Sequence, residues 1–206
     1  MCGIPEPPLV ARASEQIQEK RLIGQAAAAL VEDGESVFIG GGTTTPEVAR
    51  HLRGRRGLTV LTNAWRIVGL LLDDPDVTLV VVGGIVRRSE LSFVGPLAEQ
   101  ALHDLRADKV IMGIRAIHPR FGLTNDALIE TQTDRSIVRC APGLIVAADH
   151  TKFGGVAPSF VAPVTAMKIL VTDRQAPPEI LAELRYLGVR IVQAPTSCIP
   201  DRSEEP

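Results

Sequence analysis

The chain has 206 residues, of which 45% are hydrophobic and only 3% aromatic, and its formal net charge is −2. This near neutrality argues against a surface that coats nucleic acid, and Cys2, Cys140 and Cys198 show neither a disulfide framework nor a metal-ligand spacing. No apolar run reaches the roughly 18 residues that cross a bilayer. We therefore expect a single α/β domain in a reducing, cytoplasmic setting, with no membrane partner and no metal.

Short aliphatic stretches alternate with segments of helical periodicity along the chain. Three prolines without periodicity predict an extended N-terminal arm through Arg12. Predicted helices cover residues 14–33, 45–53, 63–72, 96–105, 126–140 and 177–187, and predicted strands cover residues 36–39, 58–61, 77–82, 109–112, 143–147, 168–171 and 189–192. Residues 113–125 are predicted to form an irregular loop, and residues 151–163 a loop or short helix. The alternation predicts a doubly wound, mostly parallel, Rossmann-like sheet with helices on both faces.

The loop Gly40-Gly41-Gly42-Thr43-Thr44-Thr45 follows the first predicted strand. Its glycines allow a close approach of the backbone to a ligand, its threonines add hydroxyl donors, and the next helix presents free N–H groups. It lacks the patterns of a nucleotide P-loop and of a dinucleotide site. A tight turn that caps a helix at Thr45 is the alternative, but one glycine suffices for that. The loop therefore predicts an anion site, most often for phosphate.

Three other strand ends carry polar candidates, because ligands bind such sheets outside the carboxyl ends of the strands. Asn63 is expected to cap a helix, with contact to a ligand as the alternative. In the segment 83–95, Arg87 or Arg88 is a candidate to pair with phosphate or carboxylate, and Ser89 and Ser92 offer hydroxyls; a solvated excursion is the alternative.

Further along, Lys152 is a compact cation suited to phosphate. His150 is a candidate base or a bystander, and Asp149 is expected to fix the turn. Glu130 and Asp134 share a helix face, and they are either candidates for acid–base catalysis or ordinary solvated surface charges. No catalytic set or metal cluster emerges from these residues, and no cofactor is expected.

Taken together in order, these stretches resemble the C-terminal effector-sensing domain of DeoR-family bacterial transcriptional repressors. The resemblance covers roughly residues 19–194. The matching stretches are Glu19-Lys20, Ile23-Gly24, Ala27-Ala28, Gly42-Thr43-Thr44-Thr45, Leu58-Thr59-Val60, Thr62-Asn63, Gly83-Gly84, Arg87, Ser89, Ser92, Val94-Gly95, Asp108-Lys109, Gly122-Leu123-Thr124, Glu130, Ala148-Asp149-His150, Lys152-Phe153-Gly154 and Thr172-Asp173.

The resemblance implies a fold similar to ribose-5-phosphate isomerase and glucosamine-6-phosphate deaminase, and a non-catalytic sensor of phosphorylated sugars or related metabolites. The residues themselves predict an arm or linker at 1–13 and a disordered tail at 195–206, and the resemblance implies a sugar-phosphate-sensing domain at 14–194 and a homo-oligomer. The ligand-binding residues it implies are Gly41, Gly42, Thr43, Thr44, Thr45, Asn63, Arg87, Ser89, Ser92, Arg115, Glu130 and Lys152. An isomerase or deaminase of the same fold is the alternative.

Two departures from the family pattern bear on this interpretation. Members usually begin with a winged helix-turn-helix, whereas about 13 residues precede the first predicted sensor helix. The chain is therefore either an isolated sensor domain, with DNA bound through a missing N-terminal domain, or a variant without DNA binding. Members also generally carry a small or acidic pair near Arg115-Ala116, so Arg115 predicts a changed ligand or pocket and argues against isomerase chemistry.

Overall fold

A computed structural model describes residues 9–196 of the chain, and a seven-stranded parallel sheet is its centre. The strands are β1 (Ser36–Ile39), β2 (Leu58–Thr62), β3 (Val77–Val81), β4 (Ile85–Arg87), β5 (Ser92–Val94), β6 (Lys109–Met112), β7 (Ala116–His118), β8 (Gly122–Asn125), β9 (Leu144–Ala147), β10 (Ser159–Ala162), β11 (Met167–Thr172) and β12 (Arg190–Gln193). The helices are α1 (Leu9–Ser14), α2 (Ile17–Ala28), α3 (Thr45–Arg50), α4 (Trp65–Leu71), α5 (Pro96–Asp104), α6 (Leu128–Val138) and α7 (Pro178–Tyr186).

The large sheet has the strand order β12-β11-β9-β6-β1-β2-β3, with every neighbouring pair parallel. Successive side chains in a strand point to opposite faces, so Phe38 contributes to one core while Val37 and Ile39 contribute to the other. Helices α2, α3 and α4 cover the second face, and α5, α6 and α7 cover the first. The predicted doubly wound, mostly parallel fold is confirmed.

Three short insertions follow strands of the large sheet and carry most of the polar candidates. An antiparallel hairpin of β4 and β5 follows β3, and the antiparallel pair β7–β8 follows β6. Strand β10, after β9, joins β8 to complete a three-stranded sheet. The predictions of an irregular loop at 113–125 and of no strand at 151–163 are therefore wrong. Strands of three or four residues, paired only with one another, show no periodicity for a sequence pattern to detect.

The N-terminal region also differs from the prediction. Residues 9–12 are not an extended arm, because Leu9–Ser14 is helical, and the next helix begins at Ile17 rather than at Ser14. Gln16, between the two helices, has the left-handed backbone conformation (φ 51°), which separates them. The rest of the predicted arm, residues 1–8, and most of the predicted tail, residues 197–206, lie outside the described residues.

Candidate ligand-binding site

A cavity of about 70 Å³ lies where loops from four neighbouring strands of the large sheet meet. Its walls come from the loops after β1, β2, β6 and β9, from the β4–β5 hairpin, from α6, and from α1. The lining residues are Arg12, Gly41, Gly42, Thr43, Thr44, Asn63, Glu90, Ser92, Met112, Gly113, Ile114, Arg115, Asn125, Glu130, Asp134, Ala147, Ala148 and Lys152. Nine of the twelve predicted site residues are among them, and Thr45, Arg87 and Ser89 are not.

The Gly40–Thr45 loop forms the wall beside β1. Gly42 has a φ of 125°, a conformation that side-chain-bearing residues rarely adopt, which explains a glycine at this position. Helix α3 is capped by Thr44 rather than by the predicted Thr45, and Thr45 is the first helical residue, followed by Pro46. The hydroxyl of Thr45 is buried and has no hydrogen-bond partner in the described part of the chain.

Asn63 and Ser92 both line the cavity where the segment before α4 meets β5 of the hairpin. The expectation that Asn63 caps α4 is wrong, because Ala64 is the N-cap residue and the Asn63 amide nitrogen donates to the carbonyl of Phe93 at 3.0 Å. The side-chain carbonyl oxygen of Asn63 is also buried, and it has no hydrogen-bond partner within residues 9–196. The buried Ser92 hydroxyl is likewise unpartnered there. Two buried polar groups on the cavity wall are thus left for a ligand or water.

Acidic side chains of α6 and the hairpin form the opposite side of the cavity. Glu130 pairs with Arg87 at 2.6 Å, and Asp134 is buried and accepts a hydrogen bond from the Asn125 amide. Burial raises the pKa of Asp134 well above its ordinary value, and the neighbouring charge of Glu130 raises it further, while Asn125 and Arg87 oppose the shift. The interpretation of Glu130 and Asp134 as solvated surface charges is therefore wrong.

The arginines and serines of the hairpin divide between two environments. Arg87 lies behind the cavity wall, where its guanidinium is also 3.8 Å from Glu90. Ser89 is exposed in the turn between β4 and β5 and lies outside the cavity, as does the exposed Arg88.

Arg12 enters the cavity from α1, which sequence reasoning did not anticipate. Its guanidinium pairs with the buried Glu90, and its backbone carbonyl accepts a hydrogen bond from the Lys20 ammonium. Burial lowers the pKa of Lys20, and the positive charge of Lys152 adds to this effect, whereas Asp149 opposes it. No local pattern marks Arg12 or Glu90, since the pair is 78 residues apart in the chain.

The remaining candidates lie around the carboxyl ends of β6, β9 and β11. Arg115 pairs with Asp126 at 2.7 Å while also lining the cavity, and Lys152 lines it from the 3₁₀ turn His150–Lys152. Asp149 accepts hydrogen bonds from the Thr151 backbone and hydroxyl, which confirms that it fixes the turn. His150 lies 3.1 Å from the Asp173 carboxylate and is not part of the cavity wall.

Two classes of feature are missing from residues 9–196. These residues hold no group of three or more His, Cys, Asp or Glu side chains arranged to bind a metal ion. None of their helices is both long and apolar enough to cross a membrane.

The large sheet and its strand-end cavity define a Rossmann-like α/β domain, and solved structures share this fold. The chain is similar to eIF2B beta from Chaetomium thermophilum, with a TM-score of 0.54 and 16% identity over 75% of this chain and 48% of that one. It is also similar to ribose 5-phosphate isomerase A from Methanocaldococcus jannaschii, with a TM-score of 0.48 and 18% identity over 65% of this chain and 53% of that one.

The family follows from the sequence comparison. Residues 15–174 match the family model described as "DeoR C terminal sensor domain", and the chain belongs to this family. Similar proteins include the "HTH-type transcriptional repressor CsqR" of Escherichia coli strain K12, 29% identical over 88% of this chain and 69% of the relative. Another is the "Transcriptional repressor AccR" of Agrobacterium fabrum, 33% identical over 81% of this chain and 65% of the relative. The family is regulatory, which agrees with the expectation of a sensor domain rather than an enzyme.

Proposed function

We propose that this sensor domain binds a phosphorylated sugar or a closely related metabolite in the strand-end cavity. The observation that carries the proposal is the pair of buried, unpartnered groups on its wall, the Asn63 carbonyl and the Ser92 hydroxyl. A buried polar group without a partner costs about 1–3 kcal/mol, so their persistence favours a ligand that satisfies them.

The two sides of the cavity differ in charge, and this difference favours a ligand with one anionic end. The Gly40–Thr45 loop and Lys152 offer backbone donors and a cation, which suit a phosphate. On the other side, Glu130, Asp134 and Asn125 offer oxygen acceptors that suit hydroxyl groups. A phosphate at one end and several hydroxyls at the other describe a sugar phosphate.

The size of the cavity suggests how occupancy is transmitted. Its volume of about 70 Å³ is well below the roughly 300 Å³ of usual small-ligand pockets, so we expect a wall to move when a sugar phosphate binds. Arg12 is the wall residue that comes from α1, outside the sheet-and-helix core. A ligand that displaces Arg12 from Glu90 changes the position of α1. The ligand shifts the equilibrium between two states of the regulator only because it makes different contacts in each of them.

Thermal unfolding of the whole chain tests the ligand class directly. Phosphorylated sugars are expected to raise the Tm, and the corresponding free sugars are not, because bound ligand stabilises the folded state. Lys152→Gln should weaken the binding of the best phosphorylated sugar by about 10- to 100-fold, the loss expected for a hydrogen bond to a charged group. Lys168→Gln is the matched control, since Lys168 is an exposed lysine of β11.

Two results would contradict the proposal. One is a panel of phosphorylated sugars and related metabolites that leaves the Tm unchanged. The other is an equal affinity of the Lys152→Gln and Lys168→Gln variants. Turnover above background in a coupled isomerase assay would instead favour an enzyme of the same fold.

We extend the proposal to the whole regulator. DNA is contacted through a helix-turn-helix of the kind named in the relative CsqR, and the protein works in the cytoplasm. Exposed apolar side chains around β3 and the hairpin, including Trp65, Ile85, Val86 and Leu97, support a homo-oligomer. A single-chain mass by light scattering at all accessible concentrations would contradict the homo-oligomer.

A further inference from the structure

A second cleft, of about 430 Å³, lies beside the Gly40–Thr45 loop and is bordered by the first turn of α2, by α3 and by α4. Thr43 borders both this cleft and the strand-end cavity, whereas Lys152 borders only the cavity. The remaining lining residues are Ala13, Ser14, Ile17, Lys20, Arg21, Glu47, Arg50 and Arg66. We name it the arginine cleft.

The arginine cleft is strongly basic. Four cations line it, and Glu47 is the one carboxylate among its lining residues. Glu47 is already paired with Arg50, one turn further along α3. Lys20 directs its ammonium to the backbone carbonyls of Arg12 and Glu15. The lining side chains therefore carry four positive charges against one negative charge, which leaves the cleft with a net positive charge.

Arg66 is the residue that points most directly to a ligand. One of its terminal nitrogens, Nη1, is buried, and it has no hydrogen-bond partner among residues 9–196. Burial lowers the pKa of its guanidinium, and the nearby positive charge of Arg50 lowers it further, while Glu47 opposes the shift. Two like charges brought together with a buried donor left unpaired cost free energy unless an anion binds between them.

We propose that the arginine cleft is an oxyanion site, distinct from the strand-end cavity, that binds a phosphate dianion on the guanidinium groups of Arg66 and Arg50. Guanidinium groups match the oxygen spacing of phosphate in a two-point fork, and a desolvated donor strengthens such a bond. Arg21 lies at the edge of the site and adds to the positive potential. The dianion is either free inorganic phosphate or the phosphate group of a monoester, since both present the same oxygens.

The test uses the full chain carrying Lys152→Gln, so that the strand-end cavity is weakened. Inorganic phosphate is titrated at constant ionic strength, which removes general screening as a cause, while the side-chain Nε–H signals of the arginines are followed by NMR. The Arg66 signal is expected to shift saturably. Adding Arg66→Gln should weaken phosphate binding by at least about tenfold, as expected for a charge-assisted bond.

Matched variants make the result specific. Arg53→Gln removes one exposed positive charge just beyond α3, outside the cleft, and should leave phosphate affinity unchanged. Arg66→Lys keeps the charge but not the fork, so it should bind with intermediate affinity, and it serves if Arg66→Gln does not fold. Glycerol 3-phosphate, titrated in parallel, binds at this site only if the cleft accepts a monoester.

The proposal is overturned if phosphate leaves the Arg66 signal unchanged, or if Arg66→Gln and Arg53→Gln bind phosphate equally. This failure is distinguishable from failure of the sensor proposal, which depends on Lys152 and on phosphorylated sugars. Loss of sugar-phosphate binding in Lys152→Gln with phosphate still held at Arg66 supports two separate sites.

Discussion

The hydroxyl of Thr133 joins α6 to the end of the hairpin, and removing it should destabilise the domain. Thr133 is fully buried, and its oxygen accepts a hydrogen bond from the Gly95 backbone N–H at 3.0 Å. Thr133→Val keeps the shape of the side chain but leaves the buried Gly95 N–H without this acceptor. The cost of such a group is about 1–3 kcal/mol, which for a domain of this size lowers the Tm by about 2–12 °C.

Thr131 provides a matched control in the same helix. It is also fully buried, but its hydroxyl donates to the carbonyl of Ala127, which already accepts the Thr131 backbone N–H at 3.0 Å. Thr131→Val therefore leaves no backbone group unpaired, and it should cost less than about 1 kcal/mol. Calorimetry or urea unfolding measures both variants. Equal stability losses for the two would refute the reasoning, because the bond that Thr133 donates to Glu99 is long, at 3.4 Å, and the expected difference therefore rests mainly on the Gly95 N–H.

Two further predictions concern burial and backbone conformation. Asp134→Asn should stabilise the domain at neutral pH, because the folded-state pKa of Asp134 is raised and the wild type loses stability as the pH rises from near 4 through that pKa. The loss is about 1.4 kcal/mol for each pH unit that separates the unfolded-state pKa from the folded-state pKa. Unfolding titrations from pH 4 to 8 in which the variant is no more stable than the wild type would contradict this. Gly122→Ala should destabilise the domain more than Gly34→Ala. Both glycines have a φ near +80°, where an alanine costs about 1–2 kcal/mol, but a Cβ at Gly122 would also lie 2.5 Å from the Ala162 carbonyl oxygen. Equal Tm losses for the two variants would argue against that clash.

The large sheet was predictable because its strands are buried on both faces. Such strands read as aliphatic runs, and the predicted strand at 109–112 coincides with β6. The position of the Gly40–Thr45 loop, directly after β1, was equally visible, because glycines and threonines between a strand and a helix are a local feature. The expectation that several strand-end loops meet followed from the parallel topology alone.

Individual side chains at the cavity were less predictable, since their roles depend on contacts across the chain. The local sequence of Asn63 suits a helix cap, but its side-chain amide donates a hydrogen bond to the carbonyl of Phe93 instead. Asp134 looks like a surface charge, but α6 turns it toward Asn125 and buries it. The partner of Asn63 is 30 residues away in the chain and that of Asp134 is 9 residues away, and sequence periodicity does not identify such partners.

By itself, the sequence determined the fold class, the family and the region of the candidate site, because hydrophobic pattern, turn residues and short motifs are local properties. Only the tertiary structure decided that Arg12 enters the cavity, that Arg87 lies behind its wall and that Nη1 of Arg66 is buried without a partner among residues 9–196. A long charged side chain has the same local pattern whether it faces solvent, a carboxylate or a cleft. Its environment is set by which distant elements pack against it, and that packing exists only in the folded chain.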